Sequence, residues 1–194
     1  MQTLQKLFGI ADIDLRERLE GTDPEERINN AVKLYLAQLE GVFSKGDNKG
    51  FAASYQIISL DGKKKYHLVF ACSHKKAATL ASNIVNSIEE TFQHEKEEYQ
   101  ELQTGQMSLF SEITEKQIFK EKVRKLKLAI LVLPKNVPLT REELHYELMI
   151  QDKSWFGKIG RTHLTQALKE LLQESRIKSN GTPGKDETIF TILE

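Results

Sequence analysis

Hydrophobic and polar positions follow two different periods along the chain, and the switches between them mark its elements. From Ile28, apolar residues recur at Val32, Tyr35, Leu39 and Val42, a helical rhythm with one apolar face. Asp23 is a natural cap for that helix, with Pro24 at its first position and Glu26 reaching back in a capping box. "SKGDNKG" breaks the rhythm. The next stretches, "FAASYQIISL" and "KKYHLVFACS", are rich in β-branched and aromatic residues and flank the turn "DGK", which predicts a β-hairpin. Its second arm, "YHLVFA", is apolar enough to expect cover on both faces, because a two-stranded hairpin is not stable alone in water. Ser73 can cap a following helix, in which Ala77, Leu80, Ile84, Ile88 and Phe92 form the expected buried stripe. The pattern then dissolves into "HEKEEYQELQTG".

Helical spacing resumes in "ITEKQIFKEKVRKLKLAILVLP", where Ile118, Val123, Leu126 and Ile130 share a face and Pro134 forces a stop. Thr140 and Glu143 make a capping box for "REELHYELMIQ". "GRTHLTQALKELLQESRI" sets Leu164, Ala167, Leu168, Leu171 and Leu172 on one side, and "RIKSNGTPGKDETIFTIL" reads as strand, Gly/Pro-rich tip, strand. Helix, helix, helix, hairpin is the element order of a winged helix-turn-helix. The expected fold class is therefore α+β: a small N-terminal α/β layer with a β-hairpin, and a C-terminal winged helix-turn-helix. The expected division is 1–103 as an α/β interaction domain, 104–114 as a linker, and 115–194 as the winged helix. In the simplest arrangement the helices at 24–43 and 74–94 cover the hairpin.

Charge changes this picture only locally. The whole chain is neutral, with 28 basic and 28 acidic residues among 194. Residues 1–112 hold 13 Lys/Arg against 17 Asp/Glu, whereas 113–194 hold 15 against 11. The basic surplus lies where the winged helix is expected. In that reading the third helix enters the major groove, with Lys158, Arg161, Thr162, His163, Gln166 and Lys169 on its polar side. Lys178, Ser179, Asn180 and Lys185 would place a short basic wing on backbone or minor groove. Glu170, Glu174, Asp186 and Glu187 dilute that surface, and winged helices also serve as protein-docking modules, so an adaptor role stays open. The run Lys116, Lys120, Lys122, Arg124, Lys125 and Lys127 suits either a phosphate backbone or a solvated helix face. Trp155 and Phe156 read as a cap on the core at a helix junction, with stacking on a base or wedging against DNA as the alternative.

Catalytic chemistry finds little support. The five histidines are scattered without a metal-binding spacing, and Cys72 beside Ser73 and His74 lacks an identified acid or oxyanion hole. Neither a dinucleotide fingerprint nor a phosphate-binding P-loop occurs. No cofactor, metal or enzyme activity is expected. One cysteine excludes an internal disulfide and fits a reducing compartment, so a cytoplasmic location is expected, and no stretch approaches the ~20 apolar residues of a membrane span.

In the linker, "TGQMSLFSE" carries apolar residues in a polar neighbourhood. Gln106, Met107, Ser108, Leu109 and Phe110 resemble the motif that docks bacterial replication and repair proteins on the sliding clamp. The resemblance implies that Leu109 and Phe110 fill an apolar pocket on the clamp, Gln106 hydrogen-bonds at its rim, and Met107 covers the gap between. Packing back on their own domain is the alternative for these side chains.

The order "LFGI", "RINNAVKLYLAQLEGVF", "YHLVFACSHKKAATLASNIVNSI", polar linker and winged helix resembles the C-terminal portion of the three-Cys-motif partner family. Those proteins are methyltransferase-like and are encoded beside a three-cysteine, radical-SAM-like protein. The resemblance implies either such a partner or the C-terminal half of a split S-adenosylmethionine-dependent protein. The glycine-rich loop of a cofactor-binding half is missing from this sequence, so no residue here inherits that chemistry. The leading expectation is a non-enzymatic accessory protein that binds duplex DNA and docks on a sliding clamp.

Overall fold

The computed structural model describes residues 19, 23–44, 46, 49–104 and 111–193. The chain is a mixed α+β fold in two compact units, one of residues 1–56 with 67–74, the other of 57–66 with 75–194. Gln106, Met107, Leu109 and Phe110 lie outside the described residues, as does "LFGI".

In the first unit, α1 (Pro24–Phe43) starts at the expected Pro24, with the Asp23 side chain accepting the Glu26 amide at 2.8 Å. Its end is tied down locally: the Ser44 hydroxyl donates to the Glu40 carbonyl at 2.7 Å and accepts the Gly50 amide at 2.8 Å. Gly50 is required there, because a Cβ would stand 2.2 Å from the Glu40 carbonyl oxygen. The hairpin follows as β1 (Phe51–Ile58) and β2 (Lys64–Cys72), which pair with each other. Phe51, Ala52, Ala53 and Cys72 are buried at its base. Among the described residues the expected double cover of the second arm is not seen: Tyr66 and Leu68 are exposed. At the tip, which belongs to the second unit, Gly62 adopts φ +81° and Asp61 caps the turn with hydrogen bonds to Ser59 and Lys63. Those contacts hold the Asp61 carboxyl well below its ordinary range.

The rest of the second unit begins with α2 (Lys75–Thr104), whose helical residues start at Lys75 rather than directly after Ser73. The sequence assigned α2 to the N-terminal domain, whereas its hydrogen bonds go to elements near the C-terminus. The Lys75 ammonium meets Glu143 at 2.5 Å, and the Ser82 hydroxyl accepts the Gly157 amide at 3.1 Å. This overturns the expected buried stripe. Leu80, Ile84 and Ile88 are 61%, 53% and 52% exposed, and Ala78, Thr79, Ser82, Val85 and Asn86 face inward instead. Small and hydrogen-bonding side chains allow a close approach that a leucine or isoleucine would block. At Gly160, a Cβ would sit 2.7 Å from the Asn86 side-chain nitrogen.

Beyond it, α3 (Ser111–Val132) ends before Pro134, β3 (Pro138–Thr140) leads into α4 (Arg141–Gln151), and a 3-10 turn at Lys153–Trp155 precedes α5 (Arg161–Gln173). The capping box is complete: the Thr140 hydroxyl accepts the Glu143 amide at 3.2 Å and Glu143 accepts the Thr140 amide at 3.0 Å. Then β4 (Ile177–Ser179) and β5 (Ile189–Ile192) close an antiparallel sheet in the order β3-β5-β4. Leu139 and Ser179 both stand opposite Phe190. The core gathers Leu126 and Ile130 of α3, Leu144 and Leu148 of α4, Leu164, Leu168 and Leu171 of α5, and Ile177, Phe190 and Ile192 of the sheet. Phe156 is buried and Trp155 packs against this core, as expected of a junction cap. No helix among the described residues is long and apolar enough to cross a membrane.

Candidate nucleic-acid interface

The spacing of α5 divides it into two faces. Leu164, Ala167, Leu168 and Leu171 enter the core, which turns Arg161, Thr162, Thr165, Gln166 and Lys169 to the other side. These five line a shallow groove of about 350 Å³, bounded by Phe119 of α3 and by Gly184 in the loop between β4 and β5. Arg161, Thr162 and Lys169 are exposed; Thr165 and Gln166 are half-buried, with the Gln166 amide donating to Glu170 at 3.0 Å. Lys158 is exposed just before the helix, and Lys178 and Lys185 are exposed on the hairpin. Asn180 is exposed too, but its side-chain oxygen accepts the Ile189 amide at 2.9 Å and so closes the hairpin loop.

His163 was expected on the polar side, and this placement is corrected. It is buried, its ring stacks on Phe119 with centroids 4.8 Å apart, and its Nδ1 accepts the Gly160 amide at 3.3 Å. Burial pushes its pKa down, with the Lys122 charge adding to the effect, so it sits as a neutral core group. The basic run of α3 is also partly spent internally. Arg124 forks onto Glu121 at 2.8 and 2.9 Å, and Lys127 bridges Glu170 at 3.1 Å and Glu174.

Sequence reasoning missed Arg141. Its guanidinium is buried and ties three segments together: Nη1 donates to Asp186 at 2.6 Å, and Nη2 donates to the Arg161 carbonyl at 2.8 Å and the Thr165 hydroxyl at 3.1 Å. The other oxygen of Asp186 accepts from Arg161. One signal was legible, because a cation at the first position of a helix opposes the helix dipole and needs another reason to be there. Burial alone would raise the Asp186 pKa, and the hydrogen bonds from Arg161 and Arg141 outweigh it and leave the carboxyl lowered. Burial lowers the Arg141 pKa, with Asp186 opposing that shift.

Comparison with family models, curated proteins and solved structures returned no match.

Arg141 and Asp186 also line a second cleft, of about 190 Å³, together with Thr79, Leu80, Asn83 and His145. His145 Nε2 stands 3.3 Å from the Ser82 hydroxyl. Burial, with the Arg141 charge adding to it, pushes His145 down to about 4 from an ordinary value of 6.5. The folded chain therefore keeps this imidazole neutral while the unfolded chain protonates first. Its contribution to stability is complete above pH ~6.5 and is lost as the pH falls toward ~4, by up to about 3 kcal/mol. His145→Leu is expected to flatten that limb in urea unfolding; an unchanged limb would assign it to other groups. Among the described residues no cluster of His, Cys, Asp or Glu is placed to hold a metal ion.

Proposed function

We propose that the second unit binds duplex DNA as a winged helix, with α5 in the major groove and the β4–β5 hairpin as the wing. One observation carries this reading: the exposed face of α5 bears Arg161, Thr162, Thr165, Gln166 and Lys169 in a single groove beside a hairpin that exposes Lys178 and Lys185. The element order supports it, since helix, strand, helix, helix, strand, strand with sheet order β3-β5-β4 is that of winged helices. Basic side chains at both ends of the groove suit phosphates, and Gln166 and Thr162 between them suit base edges. Electrophoresis of a generic duplex with the chain at about 50 mM salt is the test, and a retarded complex is the expected outcome. An unretarded duplex removes this reading.

The proposal includes recruitment through Gln106 to Phe110, because two linked weak contacts raise apparent affinity through effective concentration. A Leu109→Ala/Phe110→Ala chain is expected to lose capture by immobilised bacterial clamp. Capture equal to that of the unaltered chain would separate the peptide from this role. A second reading, a protein-binding adaptor, draws support from the exposed Leu80, Ile84 and Ile88 of α2 and predicts no duplex binding at low salt.

A further inference from the structure

We propose that Arg141 and Arg161 form a clamp for one phosphate group and that Asp186 occupies the clamp in the free chain. Two guanidinium groups converge on a single carboxylate, one on each oxygen: Arg141 Nη1 reaches Oδ1 at 2.6 Å, and Arg161 reaches Oδ2. Two oxygens of a phosphate can take the same two donors, and arginine is the side chain best suited to that geometry. The clamp is pre-organised on one side. Arg141 is buried and its second terminal nitrogen is fixed by the Arg161 carbonyl and the Thr165 hydroxyl, so it loses little freedom when the anion changes. Its occupant is less firmly held, because the Asp186 side chain is 51% exposed and sits in the loop between β4 and β5.

Two clefts reach the clamp. Arg141 and Arg161 both line the 350 Å³ groove on the α5 face and the 190 Å³ cleft. Arg161 is also the first residue of α5, where the helix dipole favours an anion. Exchange requires only that Asp186 swing outward as the phosphate enters, one anion replacing another with no covalent change. For a nucleic-acid phosphate this inference rests on the winged-helix reading; for inorganic phosphate it does not.

Asp186→Asn empties the clamp of its charge while keeping the side-chain shape. Inorganic phosphate is expected to raise the Tm of this variant and to leave that of the unaltered chain unchanged. The affinity of the variant for a generic duplex is expected to rise roughly tenfold, because no carboxylate has to leave the clamp. In an Arg161→Ala background that gain should vanish. If the unaltered chain binds duplex and Asp186→Asn binds no tighter and shows no phosphate-dependent Tm, Asp186 is a structural tie and the clamp is wrong. A phosphate-dependent Tm without duplex binding by either chain leaves the clamp standing and removes the DNA reading. Should Asp186→Asn fail to fold, the unaltered chain decides by NMR. Bound duplex is expected to shift the Asp186 carboxyl carbon toward a free carboxylate, and an unmoved resonance in the complex overturns the clamp.

Discussion

Phe190→Ala is expected to lower the unfolding free energy by about 3 to 5 kcal/mol, the range for truncating a buried phenylalanine. Phe190 is 1% exposed in the middle strand of the three-stranded sheet, opposite Leu139 and Ser179, and it belongs to the core formed with Leu164, Leu168 and Leu171 of α5. Removing the ring leaves a cavity where helix and sheet meet, and a domain of ordinary stability, ~5 to 15 kcal/mol, would lose a large part of it. The neighbouring position supplies the control. Ile189 is 38% exposed, so Ile189→Ala should cost under about 1 kcal/mol. Because a one-residue slip of β5 would exchange the two environments, this pair of variants also reads the register. Urea unfolding at constant m-value measures both. Equal losses for the two variants would show that β5 is not placed as described.

Elements whose signals are local were legible before any coordinates. Asp23 and Pro24 set the start of α1, the Thr140 and Glu143 capping box sets that of α4, and Leu164, Ala167, Leu168 and Leu171 give the buried side of α5. What the sequence concealed depends on partners far along the chain. The inward face of α2 could not be read from hydrophobicity, because Ser82 and Asn86 lie inside through contacts with Gly157 and Gly160 more than seventy residues away. β3 has three residues and begins with a proline, too short a run for alternation to show. His163 has the spacing of a groove-facing group, but the Phe119 ring of a distant helix stacks on it, and the Arg141 contact with Asp186 spans forty-five residues. The candidate face was thus half legible. The residue types at helical spacing were visible, and the tertiary contacts that remove His163 and add Arg141 were not.

Duplex affinity is expected to fall about 500-fold between 50 and 200 mM salt. The prediction follows from local charge rather than from the neutral whole. Arg161 and Lys169 line the groove on α5, Lys158 is exposed just before the helix and Lys178 and Lys185 on the hairpin, whereas Glu170 of the helix and Glu174 just after it are occupied by Lys127. If each of those five cations displaces one counterion from the duplex, log affinity falls against log salt with a slope near −4.5, and a fourfold rise in salt gives that loss. Steering by such a patch survives zero net charge because fields at ~0.15 M salt decay within about 8 Å, so the acidic remainder of the chain is felt only weakly at the groove. Lys178→Ala/Lys185→Ala removes the wing cations alone. It is expected to make the slope shallower by about two while leaving preference among sequences unchanged, since phosphate contacts carry no base information. Fluorescence anisotropy across a salt series measures both quantities. A slope near zero for the unaltered chain would mean that any complex forms without the α5 face, and an unaltered slope in the wing variant would place the duplex elsewhere on the unit.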